Sequence, residues 1–465
     1  MTRHLVFGLV AALTSVPAAR SETPSPCGDE AVRTLQEYLR IDTTNPPGNE
    51  LRAATFLKGI FDREGIPAVV DEFAPGRANI LATLKGSGAK RAFVLVGHMD
   101  VVPADPAHWS VPPFSGELRR GLLYGRGAQD MKDEGIIHLM TMLRLKREHV
   151  LLDRDVLFVG TADEEEAFKG ALRAVSPEGF GAQLKSAEYV VTEGGEGRLS
   201  PSGTPLYFGV DIAEKAPFWL TVRAKGTPGH AAEPLAESAP NRLIRALERI
   251  RNHKTALKVL PAVQRYLQDL APRVDATRGE WYRDIRSALS RPEVAEALSA
   301  DSAIAPLLRD TISITVLRAG YQTNVIPGTA EAELDVRLLP GDDPQAFLKE
   351  MNAVVGDPAV EIVPLGPYFE PNSSPVDTEL FRVITKTLGR HYPGVPVSPS
   401  LLTGATESVI YRRLGIASYG FTPVLATEEE LDTQHADDER VREASLRTAT
   451  DIFYDVISDL CRHSP

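Results

Sequence analysis

Three short apolar runs set the tightest limit on how this chain can fold, because each ends in a glycine or threonine and then in acids or a histidine. They are "AFVLVGHMD" at 92–100, "DVLFVGTADEEE" at 155–166 and "EYVVTEGG" at 188–195. Runs with no polar alternation read as strands buried on both faces, the pattern of a parallel sheet covered by helices. The stretches "DEAVRTLQEYLRI", "ELRAATFLKGIFDREG" and "DEGIIHLMTMLRLKREH" carry apolar residues at helical spacing and supply the covering layers. The expected fold is α/β, with a mixed, mostly parallel sheet flanked by helices. In such sheets sites form beyond the carboxyl ends of the strands. His98 and Asp100 lie two apart on one strand and so share a face. The pair suits a metal-ligating histidine held by an acid, and equally an ordinary polar pair.

At 465 residues the chain exceeds one compact core, so two domains are expected. Near Ile212 the texture changes. "PFWLTVRAKG" alternates, a helix follows at "SAPNRLIRALERIR", then strands at "TISITVLRAG" and "TAEAELDVRLLP" and a helix at "DPQAFLKEMNAVV". This order describes a small α+β sandwich with helices on one face of an antiparallel sheet. Residues 254–309 read as a helical insertion. After the Pro- and Ser-rich "VEIVPLGPYFEPNSSP" the α/β grammar returns with "TELFRVITKTLGRH", "ATESVIYRRLG", "ASYGF" and a closing helix. The expected division is therefore a catalytic domain at 22–212 and 366–465, interrupted by a lid or dimerisation domain at 213–365.

Residues 1–21 have a basic start at Arg3, an apolar stretch from Leu5 to Leu13 and small residues at Ala18 and Ala19, the make-up of a cleaved signal peptide. A periplasmic or secreted protein is expected; an amino-terminal anchor is the alternative, and no later segment reads as a stable membrane span. The only cysteines, Cys27 and Cys461, lie near the ends of the mature chain. Export and the frequent closeness of chain ends suggest a disulfide, with two unlinked thiols as the alternative. The net charge of −12 argues against a nucleic-acid partner, which calls for clustered Lys and Arg.

The sequence lacks a GxSxG elbow, HExxH, a P-loop and a strand-linked GxGxxG. What remains are acids and histidines at strand ends or in glycine-bearing loops: His98, Asp100, Asp130, Glu164, Glu165, Glu193 and His435. Three bare carboxylates in one cleft would repel and one would take up a proton. Two divalent cations and one hydroxide neutralise Asp130, Glu165 and Glu193, with His98 and His435 as neutral ligands. Mixed imidazole and carboxylate ligation suits zinc, and manganese or cobalt are alternatives.

The motifs "IDTTNPPGNE", "VGHMDVVPAD", "GRGAQDMKDEG", "ADEEE", "TEGG", "TPGHAAEP", "TNVIPGTAEAELDVR" and "HADDERV", in that order, resemble the M20 metallopeptidase family of co-catalytic zinc hydrolases. The resemblance runs from about residue 36 to residue 445. It implies that His98, Asp130 and Glu193 bind one metal and that Asp130, Glu165 and His435 bind the other. It makes Glu164 the general base and Asp100 the acid behind His98. It also implies a homodimer in which His230 stabilises the oxyanion in the opposite subunit's site. Asn324 and Arg337 then hold substrate, Arg337 through a terminal carboxylate. Gly404 forms a substrate-side turn, and Glu407 stands where the family more usually has an aspartate. The activity implied is cleavage of an amide bond beside a free carboxylate, of carboxypeptidase or dipeptidase type. The helical insertion resembles that of the carboxypeptidase S and N-acyl-amino-acid hydrolase branch, so small peptides and N-acyl-amino acids are the expected substrates. A deacylase of a small metabolite and a non-catalytic metal-binding relative are the alternatives.

Overall fold

The computed structural model describes residues 26–463 other than 196; the expected signal segment lies outside them. Among the described residues, ten strands form one large sheet. Four parallel strands make its centre, in the order Val156–Thr161, Ala92–His98, Ala187–Thr192 and Ala417–Gly420. Every residue of Ala92–His98 and of Val156–Thr161 is buried, as their unbroken apolar sequences require. Antiparallel strands Arg77–Leu84 and Ala68–Ala74 extend one side, and Pro205–Glu214 begins the other. Helices Pro26–Leu39, Lys132–Arg147 and Glu443–Cys461 cover one face. Ala174, Phe180, Leu184, Tyr411 and Ile416 pack on the other. The register sets His98 beside Thr161, so the segments after both strands leave the sheet at one level.

A second sheet of five strands is antiparallel. Thr329–Leu338 pairs with Thr311–Ala319 on one side and with Leu220–Lys225 on the other, and Val360–Pro364 lies beyond. Helices Ala239–Asn252 and Pro344–Val355 bury Leu243, Leu247, Phe347 and Met351 against it, giving a separate core.

The insertion is helical from Pro261 to Leu308, in short helices. Its sequence position lies between two elements of the small sheet's domain, yet its apolar side chains are seated elsewhere. Val263, Leu267, Tyr282 and Leu308 join the core of the large sheet. Tyr266 Oη donates to Tyr207 Oη at 3.0 Å, and Ser398 Oγ donates to Asp269 Oδ2 at 2.9 Å. Where the chain re-enters the small sheet, buried Lys215 donates to the carbonyls of Pro306 and Arg309 and to Thr311 Oγ1.

The disulfide expected between Cys27 and Cys461 is not formed; both are free thiols. The first turn of Pro26–Leu39 lies against Arg447, where a Cβ on Gly28 would stand 3.1 Å from Arg447 Cβ and Asp29 pairs with the guanidinium. Cys461 closes the helix Glu443–Cys461 that carries Arg447, about 21 Å further along it at 1.5 Å per residue. A disulfide tolerates a Cα separation of about 7 Å at most. No helix among the described residues is long and apolar enough to cross a membrane.

Candidate metal centre

Five side chains from five separate segments meet at the carboxyl edge of the large sheet. His98 closes one strand, Glu165 follows the next, and Glu193 follows Thr192. Asp130 comes from the loop before helix Lys132–Arg147, and His435 from a turn whose residues His435 and Asp438 both have left-handed backbones. Such conformations in non-glycine residues cluster at functional sites.

Asp130 lies at the middle. Its Oδ1 is 2.8 Å from His98 Nε2, and its Oδ2 is 2.9 Å from His435 Nε2. Glu193 Oε2 is 3.6 Å from His98 Nε2, and Glu165 Oε2 is 3.4 Å from His435 Nε2. Ligand atoms of His98, Asp130 and Glu165 lie within 4.8 Å of one another, as do those of His98, Glu164 and Glu193. The five residues expected to bind metal are therefore together: Asp130 faces both imidazoles, Glu193 lies on the His98 side and Glu165 on the His435 side, and Glu164 lies beside His98 and Glu193.

This cluster holds more negative charge than its surroundings can stabilise. Burial pushes the Glu193 carboxyl up to about 7, and burial with the neighbouring Glu193 carboxylate pushes Glu164 well above the usual range. Burial also raises Glu165. Hydrogen bonds from its Nε2 to the Asp130 and Glu165 carboxylates raise the His435 imidazole to about 10. The buried Glu165 Oε1 has no hydrogen-bond partner. Acids that resist ionisation, imidazoles that hold protons and an orphaned carboxylate oxygen all fit a site that takes up cations. The donor set, two imidazoles and three carboxylates with one carboxylate facing both sides, suits divalent metals.

Asp100 does more than stand behind His98. His98 Nδ1 lies 3.0 Å from the Asp100 main-chain carbonyl and 3.7 Å from its carboxylate, so the carbonyl fixes the ring. The buried carboxylate instead accepts the main-chain N–H of Glu164 at 3.1 Å and of Glu165 at 3.2 Å. Sequence reasoning also missed Glu439. Its Oε1 accepts the N–H of Gln129 at 2.8 Å and of Asp130 at 3.3 Å, and its Oε2 accepts from Arg126 and the N–H of Gly127. Gln434 Nε2 donates to Asp130 Oδ2 at 2.7 Å. The signal was present in "HADDERV", where a buried acid follows the histidine. Glu166 is exposed.

The substrate candidates are spread more widely. His230 and Val325 pair in a short two-stranded ribbon, and the Ala231 N–H donates to the Asn324 carbonyl, which sets His230 and Asn324 side by side. His230 Nδ1 accepts from the Ala232 N–H. Arg337 is held by Asp335 through Nε at 2.7 Å and Nη2 at 3.0 Å. These contacts all lie within the small domain. Gly404 precedes Thr406, which is fixed by the buried Glu214 carboxylate. Glu407 is buried; Thr161 Oγ1 donates to its Oε2 at 2.8 Å, and its Oε1 is unpartnered.

Burial raises the Glu407 carboxyl from 4.5 to about 8. The folded state therefore binds this proton more tightly than the unfolded state. The resulting stabilisation is complete below about pH 4.5, falls as pH rises and is gone by about pH 8. In chelator-treated protein, Glu407→Gln is expected to gain melting temperature relative to the parent between pH 5 and pH 8. Parallel melting curves across that window would remove Glu407 as the source.

An α/β sheet that gathers carboxylates and imidazoles able to hold cations at the carboxyl edge of its parallel strands, with a further carboxylate beside them, is a setting suited to a metal-dependent hydrolase. A family model described as peptidase family M20/M25/M40 matches residues 94–459. The chain belongs to that family. It is 29% identical over 448 residues to the N-fatty-acyl-amino acid synthase/hydrolase PM20D1 of Xenopus tropicalis, covering 92% of this chain and 86% of the relative. It is 26% identical to human aminoacylase-1, covering 91% and 93% respectively. The M20 family metallo-carboxypeptidase Sso-CP2 of Sulfolobus solfataricus shares the fold with a TM-score of 0.72 and 20% identity, covering 92% of this chain and 99% of the other.

Proposed function

We propose that this hydrolase is dinuclear and cleaves an amide bond next to a free carboxylate. One observation carries the reading: Asp130 presents one oxygen to each imidazole, with a further glutamate on either side. His98, Asp130 and Glu193 would hold one divalent cation, and Asp130, Glu165 and His435 the other, zinc being favoured over manganese or cobalt. When bound, the cations supply Lewis acidity that polarises the scissile carbonyl and acidifies water. Glu164 takes the proton from the attacking water and delivers it to the leaving nitrogen. Asp100 holds the main chain of Glu164 and Glu165 in place for that transfer.

His230 acts in the site of the opposite subunit of a homodimer, stabilising the oxyanion, and Asn324, beside it on the small domain, holds substrate. Arg337, its plane fixed by Asp335, receives the free carboxylate, and Gly404 lines the substrate side. Small peptides are one substrate class. N-acyl-amino acids are the second, and similarity along most of the chain to an N-fatty-acyl-amino acid synthase/hydrolase and to an aminoacylase favours them. The reaction takes place in the periplasm or outside the cell, which rests on the amino-terminal sequence alone.

The test is a panel of dipeptides and N-acyl-amino acids assayed before and after chelation. Turnover on one class is expected, lost on chelation and restored by added zinc, manganese or cobalt. Turnover indifferent to a chelator that strips the protein of metal overturns the reading, and no turnover on any member favours a non-catalytic relative.

A further inference from the structure

The "NPPGNE" stretch has no part in the chemistry described so far, yet it is folded against the site. The general base Glu164 and the ligand Glu165 are neighbours in sequence, so their separate roles depend on how one short turn is held. That turn starts at Asp163 and ends at Phe168, and both have left-handed backbones, φ 64° and 55°. A left-handed backbone is unfavourable for a non-glycine residue and needs partners that hold it there.

The base of the turn is closed by Asn79. Its Oδ1 accepts the Ala162 N–H at 3.0 Å, and its Nδ2 donates to the Gly170 carbonyl at 2.8 Å. A Cβ at Gly170 would stand 2.1 Å from the Ala162 carbonyl oxygen, so glycine is required there. The strained residue itself is held by Arg77, whose Nη2 donates to Asp163 Oδ1 at 2.7 Å. Asn45 Nδ2 donates to the same oxygen at 3.1 Å and to Asp100 Oδ2 at 2.8 Å. Arg77 is anchored in turn from the other side. Its Nε and Nη2 donate to the two oxygens of Glu50 at 2.7 and 2.8 Å, and its Nη1 donates to the Pro47 carbonyl at 3.1 Å. A Cβ on Gly48, which has φ 104°, would fall 2.4 Å from Arg77 Nε. The Asn45–Glu50 segment is thus shaped to admit this guanidinium. Arg77 and Asn79 are two apart on one strand and share its face, so one strand grips the turn at its base and at its first residue.

We propose that Arg77 is a positioning residue for the reaction, setting the direction of the Glu164 carboxylate by fixing left-handed Asp163, with Asn45 linking it to Asp100. The proposal rests on the assignment of Glu164 as general base. Without Arg77, Asp163 keeps a single firm side-chain partner, Asn45, since Lys169 is exposed and 3.4 Å away. A displacement of about 1 Å at the base costs on the order of 10²-fold in rate.

The test uses Arg77→Ala, Arg77→Lys and Glu164→Gln in the metal-loaded full chain. Arg77→Ala is expected to lose about 10²-fold in kcat, with KM and metal content near those of the parent. The guanidinium of Arg77 is partly open to solvent, with 17% of the side chain exposed. Millimolar guanidinium chloride should therefore restore part of the lost kcat in Arg77→Ala and none in Glu164→Gln. Arg77→Lys, which keeps the charge, is expected to fold and to fall between. Parental kcat in both Arg77 variants, with Glu164→Gln inactive, overturns the proposal and leaves the base assignment standing. Parental turnover in Glu164→Gln removes the base assignment and the proposal with it. Loss of metal or of folded protein in Arg77→Lys as well as Arg77→Ala, with no recovery on adding guanidinium, assigns Arg77 a purely structural role and overturns the proposal.

Discussion

Replacing Glu164 by glutamine is expected to leave a folded, metal-loaded protein whose turnover is lower by about 10²- to 10⁴-fold. Glutamine keeps the volume of glutamate and one acceptor oxygen, and loses the charge and with it the capacity to accept a proton. Glu164 lies with His98 and Glu193 in one tight trio, and its carboxyl has been driven well above the usual range by burial and by the Glu193 carboxylate. A carboxyl raised in this way holds a proton more readily than a free glutamate does. The measurement is kcat on the best substrate of the panel beside metal content per chain. Turnover within a few-fold of the parent would place the proton transfer on another group.

Asp130→Asn should act differently, removing both cations together with turnover. An amide offers one neutral oxygen where the carboxylate offers two charged ones, and here the two oxygens face different imidazoles. Substitution of a ligand held by one cation alone, such as Glu193→Gln, should spare the other cation. Metal analysis after dialysis separates the cases: both equivalents absent from Asp130→Asn, and about one retained in Glu193→Gln. Two equivalents retained in Asp130→Asn would show that Asp130 does not bridge.

The parallel strands and three of the five ligand candidates, His98, Glu165 and Glu193, were legible because burial on both faces forces an unbroken apolar run, and the change to acids or histidine marks where the strand leaves the core. His98 and Glu193 could be found in this way. The residues that hold the ligands could not. Arg77, Asn45 and Glu439 act by hydrogen bonds to carboxylates and main-chain N–H groups far away in sequence, and such bonds leave neither periodicity nor spacing behind. The further contacts of Asp100 were hidden for a related reason. A two-residue spacing shows that side chains share a face, not whether the ring meets a carboxylate or a carbonyl. The cysteines failed on length: two chain ends can be near each other while positions along a 19-residue helix remain far apart.

The helical insertion was visible as helix, but an amphipathic face does not say which sheet it covers. Its placement has a mechanical consequence. A peptide that leaves one domain, roots its leucines and tyrosines in the other and then returns acts as a third tether beside the two crossovers. Swinging the small domain as a free flap would strip apolar cover from Phe208 and Leu401, which share that core with Leu267. The two halves are therefore built to loosen together on heating, and cutting the chain at the domain joints would yield a large fragment with an open greasy flank.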